Sequence, residues 1–320
     1  HSDNFDISVK DQLFQLSDSV HILRAGKINL SSADSSIQLK NGLLYPVIAS
    51  EKYKELPTTY QISIPKLDIS NFDFLSAYYS GKLKLDKLDL NEPKIQIYDQ
   101  AGASKSLEFK KYQVPLPSFI RLLELEEFNI NNGKAITYEK KGIHHKAGSS
   151  FRISLSAPQL TLQNNGKNQA EIATSNLILN IKEFKTTLGN THTLFLGQVD
   201  FNRKQKAVSV KQVKVNPFNI NKHKNQISVT TPEIALNGFD INKALELNHF
   251  EFNKIQIIQP EIKIAMNDTV RDDKISFLQT LDLYPFVKPH VNQIRVNNLS
   301  LQDANINFNW FKKKLIDKKI

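Results

Sequence analysis

The chain has 320 residues, of which 42 are Lys or Arg and 32 are Asp or Glu, for a formal net charge of +10. A hydrophobic share of 40% and a charged share of 23% exclude a disordered chain. The absence of cysteine excludes disulfides and thiolate chemistry, and no apolar run reaches the roughly 20 residues that cross a bilayer as a helix.

Taken in chain order, one phrase recurs: apolar, x, apolar, x, x, Pro or a small residue, x, apolar, x, apolar. Tyr60, Ile62, Pro65, Leu67 and Ile69 write it first. A short helix is predicted next, from Asp73 to Ser80, with Asp73 as its cap and Gly81 as its stop. Leu83 and Leu85 then lead into Leu88, Leu90, Pro93, Ile95 and Ile97. A helical turn is predicted at Pro117–Leu122. Leu123 and Leu125 precede Phe128 and Ile130, and Gly133 replaces the Pro. A polar loop is expected over Glu139–Ser149. The phrase returns as Ile153, Leu155, Pro158, Leu160, Leu162, and again as Ile227, Val229, Pro232, Ile234, Leu236. A second helix is predicted at Asp240–Asn248. Phe250 and Phe252 lead into Ile255, Ile257, Pro260, Ile262 and Ile264. After a helical turn expected at Pro285–Val291, Leu299 and Leu301 close the series, with Ala304 in place of the Pro.

Each half of the phrase alternates with period two, as a strand with one dry face does. The step across the Pro is odd, so a straight strand would turn its apolar side over there. A bulge or bend restores the side, and Pro fits a place where no ladder N–H is needed. The expected fold is mainly β: an elongated, bent antiparallel sheet with one continuous apolar face and a few short helices.

The second half of the chain repeats the first. Subtracting 167 carries Val229 to Ile62, Pro232 to Pro65, Asp240 to Asp73, Phe252 to Leu85 and Pro260 to Pro93. Pro217 corresponds to Pro46 at an offset of 171. Within each copy a weaker repeat relates Leu83, Leu85, Leu88 and Leu90 to residues forty positions on. In the second copy the same relation joins Phe250, Phe252, Ile255 and Ile257 to Ile294, Val296, Leu299 and Leu301, forty-four on. A tandem duplication is expected, with repeats at 1–140 and 141–320 joined in one continuous sheet.

The segments KLKLDKLDLNEPKIQIYD (Lys82 to Asp99) and HFEFNKIQIIQPEIKIAM (His249 to Met266), each after a short helix, resemble the AsmA-like bacterial envelope proteins. The strand QISIPKLDISNFDF (Gln61 to Phe74) is similar to the one that family places before its helix. The resemblance implies a β-sheet groove that carries lipids, a periplasmic location, and an inner-membrane anchor, here in a segment preceding His1. It brings no catalytic residue with it.

An apolar groove needs length and a dry stripe. Its expected lining is Leu83, Leu85, Leu88, Leu90, Ile95 and Ile97 in the first repeat, and Phe250, Phe252, Ile255, Ile257, Ile262 and Ile264 in the second. The expected partners are phospholipid or another acyl lipid, a membrane surface and an envelope protein. The alternative is a self-packed, all-β structural or interaction scaffold in which the same residues are core. No cofactor and no enzymatic activity are expected. His144-His145 point to opposite strand faces, and Asp268, Asp272 and Asp273 lack the glycine and glutamate of a calcium loop, so no metal is expected. The lysines alternate with apolar residues and do not cluster with aromatics, which argues against nucleic acid. The last stretch, Phe308–Ile320, carries Trp310, Phe311, Lys312, Lys313 and Lys314. As a helix it would meet anionic headgroups; as a cap on the last strand, or as a plain tail, it would not.

Overall fold

A computed structural model describes residues 4–16, 20–48, 53, 56, 58–100, 121–141, 144–164, 170–174, 176–188, 192–218, 226–241, 243–244, 249–267 and 292–311. Among these residues the chain is mainly β, and its strands belong to one hydrogen-bonded sheet. It divides into two compact units: His1–Lys182 with Asp200–Lys206, and Glu183–Val199 with Ala207–Ile320.

In the first unit β1 (Asp6–Gln15), β2 (His21–Ser31), β3 (Ser36–Pro46) and β4 (Thr58–Ser70) pair antiparallel in sequence order. Helix α1 (Phe74–Ser80) follows. The Ser76 amide donates to Asp73 Oδ1 at 2.9 Å, and Gly81 ends the helix with φ at 67°. The sequence placed both signals correctly. β5 (Lys82–Asn91) and β6 (Lys94–Gln100) are one strand broken at Pro93, and both pair antiparallel with β4. β7 (Leu122–Lys141) and β8 (His144–Asn164) form a long antiparallel pair, and β9 (Ala170–Ala173) adds to β8.

The sheet departs from the antiparallel expectation in one respect. β5 and β6 run parallel to β7. The chain after Gln100 returns to the end at which β5 began, where the Arg121 amide donates to the Gly81 carbonyl at 2.7 Å. A parallel neighbour requires such a crossover, which a tight hairpin cannot supply. The forty-residue repeat is the register of this pair: Leu83 faces Leu123, Leu85 faces Leu125, Leu88 faces Phe128 and Leu90 faces Ile130.

β10 (Ile178–Leu188) and β11 (His192–Asn202) contribute residues to both units. The second unit continues with β12 (Ala207–Pro217), β13 (Gln226–Asn237), β14 (His249–Ile258), β15 (Glu261–Asn267), β16 (Gln293–Gln302) and β17 (Asn305–Phe311). β12 and β13 are antiparallel, and β13 pairs antiparallel with β14 and β15. β16 runs parallel to β14, and β17 to β15. The forty-four-residue repeat is again a register, with Phe250 facing Ile294 and Ile257 facing Leu301. Adding 167 to the pair Leu67–Leu90 yields Ile234–Ile257, which is also a pair, and Ile62–Ile95 likewise yields Val229–Ile262.

The expected bends are present. The Pro residues of the phrase and their Gly or Ala substitutes sit where the ladder skips, except Pro158, which pairs with Glu127 while the skip in its strand falls at Gln159. Between Asn91–Asn131 and Lys94–Lys134 the residues Glu92, Pro93, Asn132 and Gly133 stay out of register. The residue ahead of the small one takes a positive φ: Glu92 (51°), Asn132 (51°), Gln259 (45°) and Asp303 (49°). Asp11 (51°) and Asn41 (54°) continue the same line across β1 and β3.

A second line of bends was missed. The ladder skips Asp86 and Glu126 between β5 and β7, and Asn253 and Asn297 between β14 and β16. The signal was legible, because Leu85 to Leu88 is also an odd step.

Two other expectations are corrected. Residues 139–141 and 144–149 lie in β7 and β8 and not in a loop, because the cross-strand pairs run to Lys141–His144. Phe308 to Phe311 lie in strand β17 and not in a helix, because Ile264–Phe308 and Asn267–Phe311 are ladder pairs. Of the helical turn expected at Pro117–Leu122, residues 117–120 fall outside the described residues and Leu122 opens strand β7; the turn expected at Pro285–Val291 and most of Asp240–Asn248 also fall outside them.

Candidate ligand-binding face

Bends that undo each odd step keep one face of the first unit apolar from strand to strand. Ile7, Leu30, Ile37, Ile69, Leu88, Phe128 and Ala157 form one cross-strand row over β1, β2, β3, β4, β5, β7 and β8. Val9, Ile28, Leu39, Leu67, Leu90, Ile130 and Leu155 form the next. Beyond the Pro line, Phe14, Leu23, Leu44, Ile62, Ile95, Ala135 and Phe151 form a third. The second unit has matching rows, among them Leu236–Ile255–Leu299 and Val229–Ile262–Ile306. Pro93 and Pro260 are themselves buried, whereas Pro65 and Pro232 on the neighbouring strand are exposed.

The twelve expected lining residues all fall on these rows or one or two pairs beyond them along the same strands. Leu85, at 4% exposure, and Ile264, at 8%, are buried. Leu83, Leu88, Leu90, Ile95, Ile97, Phe250, Phe252, Ile255, Ile257 and Ile262 are half-buried. The buried pair are core residues of their units. In the second unit Phe239 stacks on Phe250 at 6.0 Å between ring centroids and on Phe252 at 5.5 Å, so the chain covers part of its own row there. Phe239 was not among the expected lining residues. A large aromatic just ahead of the Asp240 cap was the available signal.

The opposite face is polar in the same register. Gln38 Nε2 donates to Asp68 Oδ1 at 2.8 Å, Asn129 Nδ2 to Asp89 Oδ1 at 2.9 Å, and Asn131 Nδ2 to Asn91 Oδ1 at 3.0 Å. Lys66 pairs with Asp68 at 2.8 Å and Lys84 with Glu124 at 3.2 Å. Burial pushes the Asp68 carboxyl up, but hydrogen bonds from Lys66 and Gln38, with the charges of Lys66 and Lys40, outweigh it and leave the group below its ordinary 3.8. Four lysines, Lys10, Lys27, Lys40 and Lys66, stand directly opposite one another across β1 to β4.

Two buried histidines lie at the starts of strands. His21 is 1% exposed and stacks on Tyr60 with centroids 4.1 Å apart. His192, at the corresponding place in β11, is 2% exposed, with Nε2 at 3.0 Å from the Ile227 carbonyl oxygen. Each fills space at the start of its strand.

Among the described residues no three His, Cys, Asp or Glu side chains gather as metal ligands would, and no helix is long and apolar enough to cross a membrane. Trp310 and Phe311 belong to β17, while Lys312, Lys313, Lys314, Asp268, Asp272 and Asp273 lie outside the described residues. No protein-family model matches the chain, and no curated protein matches it.

Proposed function

We propose that the protein is non-enzymatic and holds or transfers lipid acyl chains along the apolar face of its bent sheet, as its resemblance to AsmA-like envelope proteins implies. On this reading the two units are tandem copies, the face is a groove, and the protein works in the periplasm of a cell envelope beside a membrane surface and an envelope partner. The observation that carries it is the half-exposure of ten of the twelve lining residues, together with rows in the first unit that stay apolar over seven strands. A sandwich core buries its inward side chains.

The energetics suit the role. An acyl chain gains about 0.8 kcal/mol per CH2 removed from water, on the order of 10 kcal/mol for about 16 carbons before ordering costs. No head-group constellation is needed.

Native mass spectrometry of gently purified protein tests the reading. Bound phospholipid is expected, with most of it lost in Leu90→Asp and in Ile257→Asp, and with both variants still folded. A lipid-free wild type, together with global unfolding of both variants, would replace the groove with a self-packed scaffold.

A further inference from the structure

β16 and β17 each have one described neighbour, β14 and β15. Their counterpart in the first unit, β7, has a strand on both sides, because β8 pairs along its outer edge. The difference shows at matching positions. Leu125 and Ala135 of β7 are each 3% exposed, whereas Val296 and Ile306 are 37% and 52% exposed. Leu299 (64%), Leu301 (59%) and Phe308 (67%) complete an uncovered row.

The same edge lacks the devices that keep edges apart. From Val296 to Phe311 the single charged residue is Asp303, and the polar positions are Asn, Ser and Gln, in a chain of net charge +10. Edge strands that stay single usually carry lysine or proline.

The spacing is symmetric about the bend. Leu299 and Leu301 lie on one side of Asp303–Ala304, and Ile306 and Phe308 lie at mirror distances on the other. We infer that the β16–β17 edge pairs antiparallel with the same edge of a second copy of this chain. In that register Leu299 stands opposite the second copy's Phe308, and Leu301 opposite its Ile306. Ser300 meets Asn307 and Gln302 meets Asn305, so no like charges face each other. The two-fold axis passes between Asp303 and Ala304, where both strands bend, and it keeps the apolar faces of both copies on one side. A slip of one residue would set Leu301 against an asparagine and lose the match. The contact is isologous and closes as a dimer. It stands independently of any lipid.

β1, also at a sheet edge, has Val9 and Phe14 at mirror distances about Asp11–Gln12, but it carries the charges of Lys10 and Asp11 beside that point, and the same pairing would set Lys10 against Leu13. Sedimentation velocity of the full chain should show a dimer. Leu299→Lys with Phe308→Lys should weaken it by about 100-fold or more while leaving far-UV circular dichroism and melting unchanged. Because the chain has no cysteine, Leu301→Cys/Ile306→Cys should cross-link on mild oxidation into a covalent dimer, and Leu301→Cys/Val9→Cys should not. A monomer at every concentration, a dimer indifferent to the lysine pair, or cross-linking confined to the Val9 variant would overturn the inference.

Discussion

Gly133 shows how one residue carries the bend. A Cβ there would lie 2.9 Å from Ile153 Cγ2, 3.2 Å from Ile130 Cγ2 and 3.3 Å from Pro93 Cγ. Pro93, Gly133 and Ile153 occupy neighbouring strands at one point of the apolar face, and the middle strand has no room for a side chain. Gly133→Val is expected to cost about 1–3 kcal/mol by overpacking, read from urea unfolding. On the polar face, Asp68 titrates below its ordinary range because Lys66 and Gln38 hold its charged form. A depressed carboxyl contributes stability that is present above its unfolded value and lost as pH falls through the folded one. The acid limb of the stability profile, below about pH 4, should therefore be shallower in Asp68→Asn than in wild type.

Strands set the next scale. Lys10, Lys27, Lys40 and Lys66 are directly opposed on successive strands. Like charges so placed oppose pairing. In the second unit the position matching Lys66 is Glu233, which faces Lys211. Lys40→Glu would place an acid between Lys27 and Lys66 and should raise stability by about 0.2–1 kcal/mol, seen as a higher urea midpoint at unchanged slope. The bends belong to this scale too. Left-handed residues such as Glu92 and Gln259 are strained, at about 1–2 kcal/mol each, and they persist because pairs on both sides of the skip fix the strand. The amide of Glu92 donates to the Asn131 carbonyl at 2.8 Å, and that of Lys134 to the Pro93 carbonyl at 2.8 Å. The same two bonds recur at Gln259–Gln302 and Asn305–Pro260, both at 2.8 Å.

Across the whole molecule, a polar face and an apolar face are kept apart in both units by the same device. Every odd step in the apolar pattern coincides with a ladder skip, so the dry side never crosses the sheet. The lipid reading depends on that separation, and the exposure of single residues sorts the lining. Leu85 and Ile264 are core, so Leu85→Asp should unfold its unit at about 2–5 kcal/mol of cost. Leu90→Asp should leave the fold standing, and paired thermal melts of the two variants separate them.

Much of this was legible in the residues themselves. Period-two alternation follows from the pleat, and an odd step demands a bend, so Pro65 and Pro93 marked a seam in the first unit, and Pro232 and Pro260 one in the second. The repeats of 40 and 44 positions reappear as strand registers, because similar phrases pair only when their apolar positions coincide, and the offset of 167 carries the pair Leu67–Leu90 onto the pair Ile234–Ile257. Only the tertiary structure decided strand direction. A repeat states which residues match, but the path of the intervening chain sets whether the neighbour arrives parallel or antiparallel. It also decided which leucines are covered, since burial depends on neighbours distant in sequence: Leu125 is closed over beside β8, while Val296, with the same pattern around it, stays open at an edge.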